Sequence, residues 1–154
     1  MISKSYVNTI LDTLVKRSSD TGFVYLGLCK TEPAHDTGEV SSEPAKTVIV
    51  DNETVSTGYE RKSVKGYFSA ANGGIVTNNA EIQMKTARQP WGVGEDKLMY
   101  WFLSHSSTGS AVIWGPIYHE DENGEKTAGI EVGKATVPTF YENQLRASID
   151  VPLE

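Results

Sequence analysis

The side chains able to do chemistry are few and scattered. Three histidines, His35, His105 and His119, lie far apart in the chain; none forms an i, i+4 pair and none stands near a cysteine, so the local spacing that builds a zinc site is absent. The run His119-Glu120-Asp121-Glu122-Asn123-Gly124-Glu125 is acidic enough for a calcium loop. It lacks the ligand spacing and flanking helices of an EF-hand, and fits a solvated hairpin tip. Gly92 and Gly94, in Trp-Gly-Val-Gly, precede neither a GK[ST] sequence nor a helical pattern, so no phosphate loop is expected there. No serine occupies a nucleophile elbow. Carboxylate pairs for glycoside hydrolysis are defined by distance in space, and no pair stands out among these acids. Cys29 sits inside the apolar run FVYLGLC and fits a small core hydrophobe; as the single cysteine it excludes an internal disulfide and a cysteine-based zinc site. No catalytic residue, cofactor or metal ligand is assigned.

What remains is aromatic. Tyr59, Tyr67, Trp91, Tyr100, Trp101, Trp114, Tyr118 and Tyr141 could line a sugar-binding surface, although aromatics in strands more commonly form a core or a subunit interface. Trp91 and Tyr118, placed in loops, are the candidates for surface recognition.

The elements that position these groups are mostly strands. The stretch from Gly73 to Pro116 holds all three tryptophans and three apolar runs, Ala80 to Met84, Leu98 to Leu103 and Ala111 to Trp114, separated by glycine- and asparagine-rich breaks. In DKLMYWFLS a strand would direct Leu98, Tyr100 and Phe102 one way and Met99, Trp101 and Leu103 the other, so it should be covered on both faces. Phe23 to Cys29 is a second strand of that kind. Lys30 to Lys46, with Pro33 and Pro44, is a surface loop. Thr47 to Val55 starts as a strand and turns at Asp51-Asn52. Gly58 to Phe68 alternates loosely, with Tyr59, Arg61 and Ser63 against Glu60, Lys62 and Val64. Ile82 and Met84 face inward beside outward Glu81, Gln83 and Lys85; Asn123-Gly124 predicts a two-residue type I′ hairpin turn. Lys134 to Phe140 forms a short strand, and Leu145, Ala147, Ile149 and Val151 alternate with polar neighbours in the last one.

One helix is predicted, from Ser3 to Arg17. Tyr6, Val7, Ile10, Leu11, Leu14 and Val15 form its apolar stripe; Asn8 and Asp12 fall on the polar face. Such a helix packs on its own domain or docks on a neighbouring subunit, and Tyr6, Ile10 and Leu14 are the candidate subunit contacts. The expected organisation is an N-terminal helical arm over residues 1–18 and a β-domain over 19–154. The fold class is mainly β: a single-domain antiparallel β-sandwich, jelly-roll-like, of roughly eight to ten short strands, with one N-terminal amphipathic helix.

Bulk properties exclude other classes. A length of 154 residues suits one domain with one core. A net charge of −6 with no Lys/Arg cluster argues against nucleic-acid binding. No run approaches the ~20 apolar residues that span a bilayer, and no signal-like apolar stretch follows Met1. Folding in a reducing cytoplasm is expected.

Several segments together resemble a family of small tailed-bacteriophage and prophage virion proteins commonly called tail fibre or tail-fibre-like proteins. In order, these are SKSYVNTILDTLVKR, the strand and loop from Tyr25 to Pro44, GYERKSV at Gly58 to Val64, GGIVTNNAEIQM at Gly73 to Met84 followed by Trp91-Gly92, STGSAVIWGPI at Ser107 to Ile117, and IEVGKATVPTFYENQLRASID near the end. The chain departs from the family at Met84-Lys85, at Tyr100 to Leu103, at Gly109-Ser110 and in a longer Ala45 to Ser56. The resemblance implies a non-enzymatic virion subunit, tail-fibre-like or head-decorating. It would be made in the host cytoplasm, form homo-oligomers and assemble with other phage virion proteins. The alternative is a carbohydrate-binding module that recognises a host-surface glycan.

Overall fold

The computed structural model describes residues 4–14, 24–120 and 122–148, and the chain is mainly β with antiparallel sheets and one short helix. In chain order the elements are α1 (Lys4–Leu14), β1 (Tyr25–Cys29), β2 (Thr47–Val50), β3 (Glu53–Ser56), β4 (Lys62–Ser63), β5 (Ile75–Thr77), β6 (Ile82–Gln83), β7 (Tyr100–Ser104), β8 (Ile113–Pro116), β9 (Tyr118–Glu120), β10 (Lys126–Ala128), β11 (Thr139–Phe140) and β12 (Arg146–Ser148). One sheet has four strands in the order β4-β1-β7-β8; β2–β3, β5–β12, β6–β11 and β9–β10 form two-stranded ladders. The described residues thus hold twelve short strands in place of the roughly eight to ten expected.

The four-stranded sheet is covered on both faces, as the doubly apolar sequences of β1 and β7 require. Leu26 and Leu28 of β1, Trp101 and Leu103 of β7, and Ile113 of β8 enter the main core with Val76, Ile82, Phe140, Leu145 and Ala147 from the smaller ladders. On the opposite face Cys29, Phe102 and Ala111 form a second cluster, joined by Val40, Tyr100 and Trp114. Val40 belongs to the 30–46 loop, so this surface loop serves as the cover for that face. Its tie to the sheet is local: the Ala111 amide donates to the Gly38 carbonyl at 2.8 Å.

The alternation along 98–103 holds within β7 but breaks before it. Leu98 sits in the main core with Trp101 and Leu103, not with Tyr100 and Phe102. The strand begins only at Tyr100, and Leu98 pairs instead with Ile130 in an isolated bridge, which changes the phase. The Asp51-Asn52 turn has positive φ at both residues, 51° and 65°, the pattern of a type I′ hairpin joining β2 to β3. The turn predicted at Asn123-Gly124 differs. Glu120 pairs with Lys126, so the connection spans five residues, and of that pair only Gly124 has positive φ. The predicted 134–140 strand shrinks to β11, since Ala135 adopts a left-handed φ of 70°. Of the last strand, Leu145 and Ala147 are buried as expected; Ile149 and Val151 lie outside the described residues.

α1 docks on the chain's own core through Val7 and Leu11, both essentially inaccessible. Two residues of its supposed water-facing side make the attachment. Asp12 Oδ1 accepts the Ala71 N–H and Asn8 Oδ1 accepts the Gly74 N–H, each at 2.8 Å. They satisfy the backbone of the 71–74 turn, which has no strand partner on that side.

Gly27 leaves no room for a side chain within the sheet. It lies opposite Phe102, and a Cβ there would stand 2.2 Å from Phe102 Cζ. Gly27→Ala should therefore lower stability by about 1–3 kcal/mol through overpacking, seen as a lower urea midpoint with an unchanged slope. An unchanged midpoint would mean that the ring moves aside freely.

Candidate functional site

The densest polar cluster lies against the second face of the sheet. Arg61, with a side chain 4% exposed, forms a two-pronged pair with Glu43: Nε to Oε2 at 2.9 Å and Nη2 to Oε1 at 3.0 Å. Its Nη1 donates to Ser104 Oγ at 2.8 Å, to the Ser106 carbonyl at 3.1 Å and to the Gly109 carbonyl at 2.7 Å. The guanidinium carbon rests 4.8 Å from the Phe102 ring centre. Tyr59 donates its hydroxyl to Glu43 Oε2 and accepts the Leu28 amide at 3.2 Å. Its ring meets Trp91 edge to face at 5.1 Å, and the Trp91 indole donates to the Thr57 carbonyl at 2.9 Å.

Burial dominates the electrostatics here. It pushes the Tyr59 phenol far above its ordinary range, and the Glu43 carboxylate adds to the effect. The Cys29 thiol is pushed up to about 12 by burial and by Glu43, with Arg61 pulling the other way. Tyr59 and Cys29 therefore stay neutral near neutrality. The cluster joins the 30–46 loop, β1, the approach to β4 and the 104–109 turn.

The second place is an open groove of about 1110 Å³ between the β9–β10 hairpin and the 139–146 segment. Tyr118, 48% exposed, and Tyr141, 65% exposed, both line it. One side chain joins their backbones: Gln144 Oε1 accepts the Tyr141 N–H at 2.9 Å, while Gln144 Nε2 donates to the Tyr118 carbonyl at 3.2 Å. Nearby, Thr127 Oγ1 lies 2.9 Å from His119 Nε2, and His119 Nδ1 lies 2.8 Å from the Gly129 carbonyl, which fixes that ring on the hairpin. Lys97, Lys126 and Arg146 also line the groove, beside Glu120, Glu131 and Glu142.

The residues singled out in the sequence are dispersed. Trp91 is corrected: it is 3% exposed, packed on Tyr59 and hydrogen-bonded to Thr57, and offers no recognition surface. Tyr118 does stand at the surface, at the groove. Ile10 and Leu14 are half-buried on α1, whose buried contacts are Val7 and Leu11; the Tyr6 side chain lies outside the described part. His35 pairs with Glu32 at 3.0 Å and His105 Nε2 meets the Leu14 carbonyl at 3.0 Å, so the three histidines stay apart. Among the described residues no three His, Cys, Asp or Glu side chains are placed to hold a metal ion, and no helix is long and apolar enough to cross a membrane. The polar cluster escaped sequence reasoning; its one visible signal was Arg61 sharing an alternating row with Tyr59. Compared with protein-family models the chain matches none, and no curated protein matches it.

Cys29 and Tyr59 have raised pKa values in the folded state, so their contribution to stability is complete below the unfolded values and is lost as pH rises above them. For Cys29 the window opens at 9.0 and runs to about 12. Urea midpoints should fall from about pH 9 upward, and Cys29→Ala should flatten that fall by up to about 1.4 kcal/mol per pH unit. An identical slope in the variant would show that Cys29 titrates as it does in the unfolded chain.

Proposed function

We propose that this protein is a non-enzymatic bacteriophage virion subunit, tail-fibre-like or head-decorating, which works by assembling with copies of itself and with other virion proteins. In this reading the four-stranded sheet and the smaller ladders across the main core form the two layers of a jelly-roll-like sandwich. The ordered run of segments resembling the phage virion family supports it. So does the net charge of −6, which suits contacts with protein better than with nucleic acid.

The observation that carries the reading is the β2–β3 ribbon. Among the described residues these strands pair only with each other, and no residue from Thr47 to Ser56 is buried. Ile49 is 69% exposed. A two-stranded ribbon alone in water is marginally stable, and its outer edges present unpaired N–H and C=O groups that template further pairing. Yet its base is held firmly: Thr57, itself buried, bonds through its hydroxyl to the Ala45 carbonyl at 2.6 Å and through its amide to the Lys46 carbonyl at 2.9 Å. A rigidly anchored, uncovered ribbon of β-branched residues is suited to a neighbouring subunit. α1, by contrast, spends its buried side chains inside its own domain.

Ile49→Asp should leave the unfolding midpoint of the isolated subunit within about 0.5 kcal/mol, since the residue is exposed. It should abolish oligomers seen by sedimentation velocity. Oligomers of unchanged size in the variant, or a parent protein that stays monomeric at every concentration, would contradict the reading.

A further inference from the structure

We propose that the groove carrying Tyr118 and Tyr141 is a binding site for an oligosaccharide, recognised by ring stacking and by its hydroxyl groups rather than by its charge. The site is independent of the ribbon and of the assembly reading. Three features point to it together. First, the two tyrosines are among the five large hydrophobic side chains left exposed among the described residues, at 48% and 65%, and both line the same groove. Second, they are held in register. The Gln144 carboxamide uses its oxygen on the Tyr141 amide and its nitrogen on the Tyr118 carbonyl, so the two segments keep a set spacing without any ligand. A spacing fixed in advance removes part of the ordering cost of binding.

Third, the lining suits hydroxyls. Lys97, Lys126 and Arg146 supply donors, while Glu120, Glu131 and Glu142 supply acceptors, giving three formal positive and three formal negative charges and a balance of zero within a chain of net −6. Among the described residues the three cations form no ion pair. Glu131 already accepts the Gly94 amide through Oε1 at 2.6 Å. A trough this open would leave much of a small apolar ligand in water. A strongly anionic one would meet as many carboxylates as cations. A sugar chain offers C–H faces to the two rings and hydroxyls that both donate and accept, which this lining can match.

The test uses the full chain on an array of printed neutral and acidic oligosaccharides, followed by calorimetric titration with the strongest binder. Binding should persist when salt is raised to about 0.5 M, where exposed charge–charge attraction is largely screened. Tyr141→Ala should weaken it about tenfold, and Tyr141→Trp should restore it, with the unfolding midpoint and the sedimentation profile unchanged in both. No bound oligosaccharide on the array would overturn the proposal. So would binding that vanishes with salt and ignores Tyr141, since that is adhesion by surface charge. Loss of oligomers with retained sugar binding would instead count only against the assembly reading.

Discussion

The contact on which the structure depends most is the two-pronged pairing of Arg61 with Glu43. A guanidinium so deeply buried is costly unless it is paired and hydrogen-bonded, and here each of its three nitrogens has a partner. Nε and Nη2 meet the carboxylate, and Nη1 meets a hydroxyl and two carbonyls. The partners come from two distant parts of the chain. Glu43 ends the long loop after β1, Ser104 closes β7, and Ser106 and Gly109 belong to the turn that leads to β8. One side chain therefore ties the 30–46 loop to the 104–109 turn, beside the edge strand of the four-stranded sheet.

The consequence is a sheet with two unlike covers. Its main-core face is closed by aliphatic and aromatic side chains from the smaller ladders and from α1. The other face is closed by a loop that has no regular structure of its own, held by Val40, by backbone bonds such as that from Ala111 to Gly38, and by the Glu43 carboxylate. Phe102 lies at the join: Gly27 makes room for its ring on one side and Arg61 rests over it on another. The β2–β3 ribbon rises from the same cluster, since Thr57 at its base bonds both to Ala45 and to the Tyr59 amide, while its own residues stay unburied.

Much of the strand pattern was legible in the sequence because its causes are local. Asp51-Asn52 adopts left-handed φ values wherever a type I′ turn is needed, and the alternation of Ile82 and Met84 with Glu81, Gln83 and Lys85 survives in the burial. What stayed hidden was decided at long range. Leu98 changes face because Ile130, 32 residues later, pairs with it. Asn8 and Asp12 look like solvent-facing helix residues, but a distant turn needs acceptors for its amides. Trp91 follows a loop-like Gln-Pro pair, yet Tyr59 and Thr57 receive it in the core. Of the groove, the sequence offered Tyr118 and Tyr141 as two of eight aromatics; nothing in it marked Gln144 as the bridge between them.

A double-mutant cycle on Glu43→Gln and Arg61→Met, followed by urea unfolding, tests this pairing most directly. Each single change leaves charged or polar groups without partners in a poorly hydrated site, and should cost about 3 kcal/mol. Removing both should cost clearly less than the sum, with a coupling on the order of 2 kcal/mol. Strictly additive losses, or singles that change stability by less than about 0.5 kcal/mol, would show that the pair is incidental and that the loop is held by something else.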